Sequence, residues 1–319
     1  MASFTDEALH TKPVTFMGAP YTLDLAGAKA AVLGLPFDCG IHPFRIGSRQ
    51  GPQAIREQSI LVRPYNSELA DFNPVERLGL VDRGNVRLTP GRIVDAFERI
   101  EAACRLIHDA GTIPVTMGGD GSVSLPQMRA AARRHPGMVA LHIDSHTDSY
   151  GWQDPERYNA ATQFTHAAAE QCVLASRSYH IGIRGTTFTP GVFRQTKSLG
   201  YNIVSMRELM ARGFDHVLAE VKEAMAGRPV YLCWDMDSFD PSCAPGVASP
   251  SWGGLSAREG IELMRRIGEL GLDIVAIDVN TVSPPHDVGG MTAFLAAHLM
   301  YEGLVVLCRQ LGIAQPQPA

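Results

Sequence analysis

Two acidic clusters in this sequence have residue types and spacing suited to binding a metal ion. Residues 144–148 read Asp-Ser-His-Thr-Asp, and residues 235–237 read Asp-Met-Asp. Side chains two residues apart in an extended segment point to the same side, so each cluster can direct its polar groups toward one point. Two carboxylates about 4 Å apart repel by roughly 4 kcal/mol at an effective dielectric near 20, and a divalent cation offsets that repulsion. The predicted metal ligands are Asp144, His146, Asp148, Asp235 and Asp237.

The ligand types narrow the choice of metal. Mixed imidazole and carboxylate ligation suits manganese, nickel, zinc or iron better than magnesium or calcium. One Asp-x-His-x-Asp segment alone is as typical of a polar loop that caps a helix as of a metal site. The second cluster is what favours a metal site. Three nearby residues are interpreted differently. Asp120 is expected to support the ligands without binding the metal. Asp240, which precedes Pro241, is expected to form a turn or to support a ligand, and His142 is expected to pack in the core.

Short apolar runs separated by amphipathic stretches predict strands that alternate with helices. This alternation is typical of a parallel sheet with helices on both faces. Buried strands of such sheets are apolar along their whole length, as these runs are. Ligands bind beyond the carboxyl ends of the strands, which is where both acidic clusters lie. The predicted strands are residues 30–35, 113–117, 139–143, 179–183, 230–234 and 274–279.

Helical patterns fill the intervals between these strands. Residues 90–110 begin at a proline and place an apolar stripe on one face. Residues 256–270 begin with a capping box made by Ser256 and Glu259. Residues 291–311 read as a long apolar helix, and a further helix is expected to start at residue 51.

Composition excludes several classes of partner. The chain has 319 residues, 45% of them hydrophobic, which fits one large domain or two small ones. The net charge of -5 and the absence of a basic run argue against nucleic acid or a membrane as partner. Six scattered cysteines without a Cys-x-x-Cys pair predict reduced thiols in the cytoplasm. No secretory signal is recognisable at the start, and no apolar run is expected to approach the length needed to cross a bilayer.

Several motifs in order resemble the ureohydrolase superfamily, which comprises arginase, agmatinase, guanidinobutyrase and their relatives. The resemblance runs from about residue 32 to residue 307. The matching segments are residues 47–52 (Gly-Ser-Arg-Gln-Gly-Pro), 118–120 (Gly-Gly-Asp), 142–148 (His-Ile-Asp-Ser-His-Thr-Asp), 181–185 (Ile-Gly-Ile-Arg-Gly), 235–241 (Asp-Met-Asp-Ser-Phe-Asp-Pro), 253–255 (Gly-Gly-Leu) and 282–287 (Val-Ser-Pro-Pro-His-Asp).

This resemblance implies a three-layer α/β/α fold around a parallel sheet. It also implies a binuclear manganese or nickel centre that activates water to attack a guanidinium carbon, in trimers or hexamers. On this basis residues 30–312 are expected to form one ureohydrolase-like domain, preceded by an N-terminal arm (1–29) and followed by a short tail (313–319). The arm is a candidate contact with a partner chain.

Three departures from the family pattern fall on chemical roles. Gly121 stands where the family has a histidine that binds one metal, and Ala160 where it has a proton-transferring histidine. Thr281 stands where a glutamate pairs with the substrate guanidinium. The metal position shared by Asp144, Asp148 and Asp235 is therefore one ligand short. The other position, formed by Asp144, His146, Asp235 and Asp237, is complete. We expect at most one manganese or nickel ion per chain.

Two functional hypotheses follow from these departures. In the first, the chain is a non-catalytic structural or regulatory subunit that assembles with a catalytic ureohydrolase homologue, in a hetero-oligomer expected to be a hexamer. It then resembles the degenerate partner in complexes of the nickel-dependent metformin hydrolase type, which convert metformin to guanylurea and dimethylamine. The guanidino or biguanide compound would bind at the partner's site. In the second, the chain is an active one-metal, agmatinase-like amidinohydrolase with an atypical substrate. A binding module outside hydrolysis is a further alternative, because fold alone does not establish function.

Overall fold

Eight parallel strands form one sheet in the computed structural model, which describes residues 14–40, 42–67, 71–151 and 157–314. The strands are β1 (Ala30–Gly34), β2 (Val81–Asn85), β3 (Ile113–Met117), β4 (Val139–Ile143), β5 (Tyr179–Ile183), β6 (Asn202–Ser205), β7 (Pro229–Asp235) and β8 (Asp273–Asn280). Their order across the sheet is β2-β1-β3-β8-β7-β4-β5-β6. The predicted parallel sheet is confirmed.

The predicted strand bounds agree closely with the structure in the centre of the sheet. Strands β3, β4 and β5 have the predicted bounds, β1 ends one residue earlier, and β7 and β8 are one residue longer at each end. Strands β2 and β6 were not predicted. Both lie at the edges of the sheet, where a strand is only partly buried and lacks a continuous apolar run.

Helices cover both faces of the sheet, as expected for a three-layer α/β/α fold. They are α1 (Gly51–Ser59), α2 (Pro74–Leu78), α3 (Ile93–Asp109), α4 (Ser124–Arg134), α5 (Gln163–Ala169), α6 (Val192–Ser198), α7 (Met206–Arg212), α8 (Phe214–Met225), α9 (Ala257–Glu269) and α10 (Met291–Gln310). The capping box of α9 is present, with Ser256 as N-cap and Glu259 returning to the Ser256 N–H. Helix α3 starts three residues after the proline at which the sequence pattern began.

Helix α10 corrects one sequence-based expectation. Its 20 residues contain an 18-residue window that is long and apolar enough to cross a membrane by length and composition. In the folded chain 83% of that window is buried. The helix packs against α9, α1 and α2 and against strand β8. Its apolar composition is therefore explained by a position in the core of the domain.

The first described residues pack onto the domain. Phe16 is fully buried, and its N–H donates to the Asp82 carboxylate on β2 at 2.9 Å. The Met17 N–H donates to Ser59 Oγ at 2.8 Å, at the end of α1. Residues 14–29 thus contact the sheet and α1, while residues 1–13 of the expected arm and 315–319 of the tail lie outside the described residues.

Candidate metal centre

Four adjacent strands position the candidate site at their carboxyl ends. Strands β3, β8, β7 and β4 are neighbours in the middle of the sheet, so the segments that follow them meet. Gly118 to Gly121 follow β3, Thr281 follows β8, Asp235 ends β7, and Asp144 follows β4. The sequence positions that match family motifs therefore converge because the strand order places their strands side by side.

Asp144, His146 and Asp237 form a compact group of candidate ligands. One ligand atom from each lies within 4.8 Å of the others. His146 Nδ1 is 3.5 Å from Asp144 Oδ1 and 3.2 Å from Asp237 Oδ2. Ser145 Oγ donates to Asp237 Oδ1 at 2.6 Å and fixes that carboxylate. Both aspartates are buried, and the histidine ring is partly exposed.

A second group shares Asp144 and includes a histidine that the sequence placed in the core. His142, Asp144 and Asp148 also have ligand atoms within 4.8 Å of one another. His142 is indeed buried and packs on Phe164 at 4.3 Å between ring centroids, but its Nε2 lies 2.9 Å from Asp144 Oδ2. Its Nδ1 lies 2.8 Å from Nδ1 of His180. The alternation of residues 142 and 144 along the chain was the available signal that both reach one side.

Asp144 carries the observation that favours a cation. Its Oδ1 accepts the His146 N–H at 2.8 Å, and its buried Oδ2 lies 2.9 Å from His142 Nε2, which is not aligned as a hydrogen-bond donor. Burying ionised carboxylates is energetically costly unless a positive charge offsets them. A metal ion held by Asp144, His146 and Asp237 would supply that charge, so these residues fit one metal ion.

Asp235 lies beside this group and is held by protein donors. Its Oδ1 accepts the Asp237 N–H at 2.9 Å and the Thr281 hydroxyl. Thr281 Oγ1 also accepts the Met236 N–H at 3.2 Å. Thr281 has a φ of 66°, in the left-handed region that a β-branched residue rarely adopts. Thr281, where the resemblance predicts a glutamate, is therefore fixed toward a metal-ligand candidate in a strained backbone conformation.

Asp148, Gly121 and Ala160 meet on the opposite side of the site. Asp148 is buried, has a φ of 47°, and accepts a hydrogen bond from the Gln163 side-chain amide. A Cβ atom built on Gly121 would lie 3.1 Å from Asp148 Oδ2 and 3.2 Å from the Ala160 carbonyl oxygen. Two of the three positions at which the resemblance predicts a departure thus lie beside a predicted ligand. Gln163 was not identified from the sequence.

Asp120 and Asp240 hold loops around the site. Asp120 is buried and accepts the Cys39 N–H at 2.8 Å and the Ser122 N–H at 3.2 Å, which shapes the loop that carries Gly121. Asp240 accepts the N–H groups of Ser242 and Gly253 at 3.0 and 2.8 Å, in a turn near the surface. Neither carboxylate belongs to either group of candidate ligands among the described residues.

Burial dominates the electrostatics of the cluster. It raises the pKa of Asp235 and Asp148 well above the ordinary carboxyl value, and the carboxylates of Asp237 and Asp144 add to this. Burial also disfavours ionised Asp144, but the neighbouring histidine rings outweigh it and hold the pKa of Asp144 well below its ordinary value. Burial favours neutral His146, yet the Asp237 and Asp144 carboxylates hold the pKa of His146 well above its usual range.

The raised pKa of His146 predicts that the metal-free protein loses stability as pH rises. The unfolded chain releases this proton near pH 6.5, and the folded chain keeps it to higher pH. The contribution is complete below pH 6.5 and disappears as pH rises through the folded pKa, by at most about 1.4 kcal/mol per pH unit. Urea unfolding from pH 6.5 to about 8.5 should show this slope, and His146→Asn should reduce it.

Added manganese should reverse the trend, because a ligating imidazole must be neutral. The raised pKa values of Asp235 and Asp148 give a slope of the same sign, and the lowered pKa values of His108 and His180 act mainly near pH 6.5, so the comparison with His146→Asn is what isolates the imidazole. Equal slopes in wild type and His146→Asn would contradict the assignment.

A cavity of about 1130 Å³ opens onto this cluster. His146, Asp148, Asp235 and Asp237 line its floor together with Gly121, Ala160 and Thr281. Aromatic residues at its mouth include the exposed Phe44 and Phe188. The cavity is large enough for a small organic molecule.

Comparison with known proteins identifies the family. Residues 28–305 match the Arginase family. This chain belongs to the arginase family. It is 34% identical over 296 residues to guanidinobutyrase and 36% identical over 297 residues to guanidinopropionase, both from Pseudomonas aeruginosa. These matches cover 92% of this chain and 92% and 91% of the two relatives.

Solved structures agree with this assignment. The chain superposes on proclavaminate amidino hydrolase from Streptomyces clavuligerus with a TM-score of 0.89 at 31% identity. The match covers 94% of this chain and 98% of that chain. The arginase-family scaffold is thus retained over most of this chain.

Proposed function

We propose that this chain is a non-catalytic subunit of a hydrolase complex that acts on C–N bonds of guanidino or biguanide compounds. The observation that carries the proposal is that Gly121, Ala160 and Thr281 line one cavity with the retained carboxylates. Loss of a metal ligand, a proton-transfer group and a substrate anchor at one site, on an intact scaffold, favours a change of role over a change of substrate.

Each replacement removes a chemical capability that the others do not restore. Glycine has no side chain to coordinate a metal, and alanine cannot transfer protons, a role typically worth about 10²–10⁴ in rate. The Thr281 hydroxyl is already hydrogen-bonded to Asp235 and has no charge to offer a guanidinium. The active site of the proposed complex therefore belongs to a catalytic arginase-family homologue, assembled with this chain in a hetero-oligomer expected to be a hexamer.

The relatives suggest the substrate class. The names guanidinobutyrase and guanidinopropionase denote enzymes of guanidino acids, and we extend that class to this complex. Biguanides share the amidine group whose C–N bond is cleaved, so metformin belongs in the test panel. The six cysteines are free, which supports a cytoplasmic location, and neither nucleic acid nor a membrane is proposed as a partner.

One manganese or nickel ion is proposed for this chain, held by Asp144, His146 and Asp237 with Asp235 beside them. A metal ion bound there would lower the pKa of a coordinated water. The chain's own contribution is orientation, since Ser145 and the His146 N–H fix the Asp237 and Asp144 carboxylates.

Co-expression with an intact homologue tests the role of the chain. We expect the two chains to co-purify, and the homologue alone to have lower activity or a lower melting temperature. Hydrolysis of 4-guanidinobutyrate, agmatine and metformin is measured by the release of urea or dimethylamine. Native mass spectrometry measures the composition of the complex. A homologue that is equally active and stable with and without this chain would rule out the proposed role. A catalytic homologue co-expressed with a second copy of itself is the control.

A one-metal hydrolase is the second candidate, and the compact Asp144, His146 and Asp237 group favours it. It predicts hydrolysis by the purified chain loaded with manganese or nickel in the absence of any partner. The non-catalytic role predicts a rate at least about 10²–10⁴ below that of an intact relative under the same conditions.

A further inference from the structure

The side chain of Gln163 occupies the corner of the site from which the family histidine is missing. Gln163 is the first residue of α5 and is 2% exposed. Its Nε2 donates to Asp148 Oδ2, and its Oε1 has no hydrogen-bond partner among the described residues. A buried glutamine with one half of its amide unpaired is costly, so its position is explained better by the site than by packing.

The geometry at Gly121 shows how the two residues are related. A Cβ atom on residue 121 would lie 2.6 Å from Gln163 Nε2, a distance at which one of them must move. A histidine at 121 would extend its ring further into the volume that the amide fills. Glycine at this position is therefore what gives the Gln163 amide access to Asp148.

The other carboxylate of the incomplete metal position is also engaged by a protein donor. Asp235 Oδ1 accepts the Thr281 hydroxyl as well as the Asp237 N–H. Hydrogen bonds to an ionised carboxylate are about twice as strong as those between neutral groups. Two of the three aspartates around this position thus have neutral side-chain donors where a cation would otherwise offset their charge.

We propose that the Gln163 carboxamide takes the place of the first metal ion and its histidine ligand. The amide N–H stabilises the Asp148 carboxylate, and the amide fills the volume of the missing imidazole. The chain therefore has room for one metal ion. This inference concerns the same site as the proposed function but does not need a partner chain. It also means that restoring residues 121, 160 and 281 alone leaves the metal position obstructed.

Metal titration of four proteins tests the replacement. Manganese chloride and, separately, nickel chloride are titrated by calorimetry, and bound metal is counted by elemental analysis after gel filtration. We expect one equivalent in wild type, one in Gly121→His, and about two in Gly121→His/Gln163→Ala. The control is Gly121→His/Gln127→Ala, which should remain at one. Gln127 is also a buried glutamine, but it bonds Thr116 and Val123 rather than the site.

Several results would overturn the proposal. Two equivalents in wild type would mean that Gln163 is a metal ligand or no obstacle, and two in Gly121→His alone would show that the amide does not block the position. One equivalent in Gly121→His/Gln163→Ala, folded by circular dichroism, would have the same consequence. If that variant does not fold, Gly121→His/Gln163→Ser replaces it, and the wild-type count remains a test. Because these counts use the chain alone, they are independent of whether a homologue needs it for activity.

Discussion

Asp144→Ala should lower the affinity of this chain for manganese or nickel by more than about 100-fold. Loss of a residue that only orients a ligand already costs about 10- to 100-fold, and Asp144 is a candidate ligand itself. It belongs to both groups of candidate ligands, and its carboxylate is fully buried. Isothermal titration of the metal-free protein measures the change.

Asp240→Asn is the matched control for this experiment. Asp240 follows the same strand as Asp235 and belongs to the same motif, but its carboxylate accepts the N–H groups of Ser242 and Gly253 in a turn. The metal dissociation constant of this variant should stay within about twofold of wild type. An unchanged affinity in Asp144→Ala would show that the metal ion binds elsewhere or that the Asp144 carboxylate is dispensable.

The ligand candidates could be predicted because they follow strands of a parallel sheet, and the order of those strands brings them together. A buried parallel strand is an uninterrupted apolar run, so its end is marked in the sequence by the first polar residue. Asp235 is such a residue, Asp144 follows a run that only His142 interrupts, and β4 and β7 are adjacent in the sheet. Nothing beyond the topology of parallel sheets was needed to place them on one edge.

Gln163 could not be predicted by the same reasoning. It lies 15 residues after Asp148, beyond a loop whose path the sequence does not specify. Its side chain reaches the site because the start of α5 lies beside Asp148, with the Phe164 N–H donating to the Asp148 carbonyl oxygen at 3.0 Å. The only signal was a glutamine before a buried phenylalanine at the start of a short helix, and a polar residue at a helix start is normally exposed.

The edge strand β2 was not predicted because it contains charged and polar residues. Some of these residues form a buried hydrogen-bonded ion pair. Asp82 on β2 is fully buried and accepts two hydrogen bonds from the Arg56 guanidinium, from Nε at 2.8 Å and from Nη2 at 2.9 Å. Arg56 also donates to Asn85 Oδ1 at 2.6 Å and to the Gly84 carbonyl oxygen at 2.8 Å. Charged residues in a strand normally indicate solvent exposure, so a fully paired charge is not recognisable from pattern alone.

Arg56→Ala should destabilise the protein by about 3–5 kcal/mol, the cost typical of leaving one member of a buried ion pair without its partner. The side chains of Arg56 and Asp82 are 4% and 0% exposed, so solvent cannot replace the lost guanidinium. The free energy of unfolding in urea measures the loss. Arg99→Ala is the control, since its pair with Asp95 on α3 is exposed, and should change stability by less than about 1 kcal/mol.

A double-mutant cycle separates the pair from the packing of the arginine stem. Arg56→Ala/Asp82→Asn should be less destabilised than the sum of the single variants, because the second change removes the unpaired charge that the first creates. Strict additivity would show that the loss comes from packing alone.

The Phe16 N–H donates to the same Asp82 carboxylate, so the variants should also weaken the attachment of the segment that follows residues 1–13. If the N-terminal arm contacts a partner chain, co-purification with that chain should weaken in Arg56→Ala and remain unchanged in Arg99→Ala.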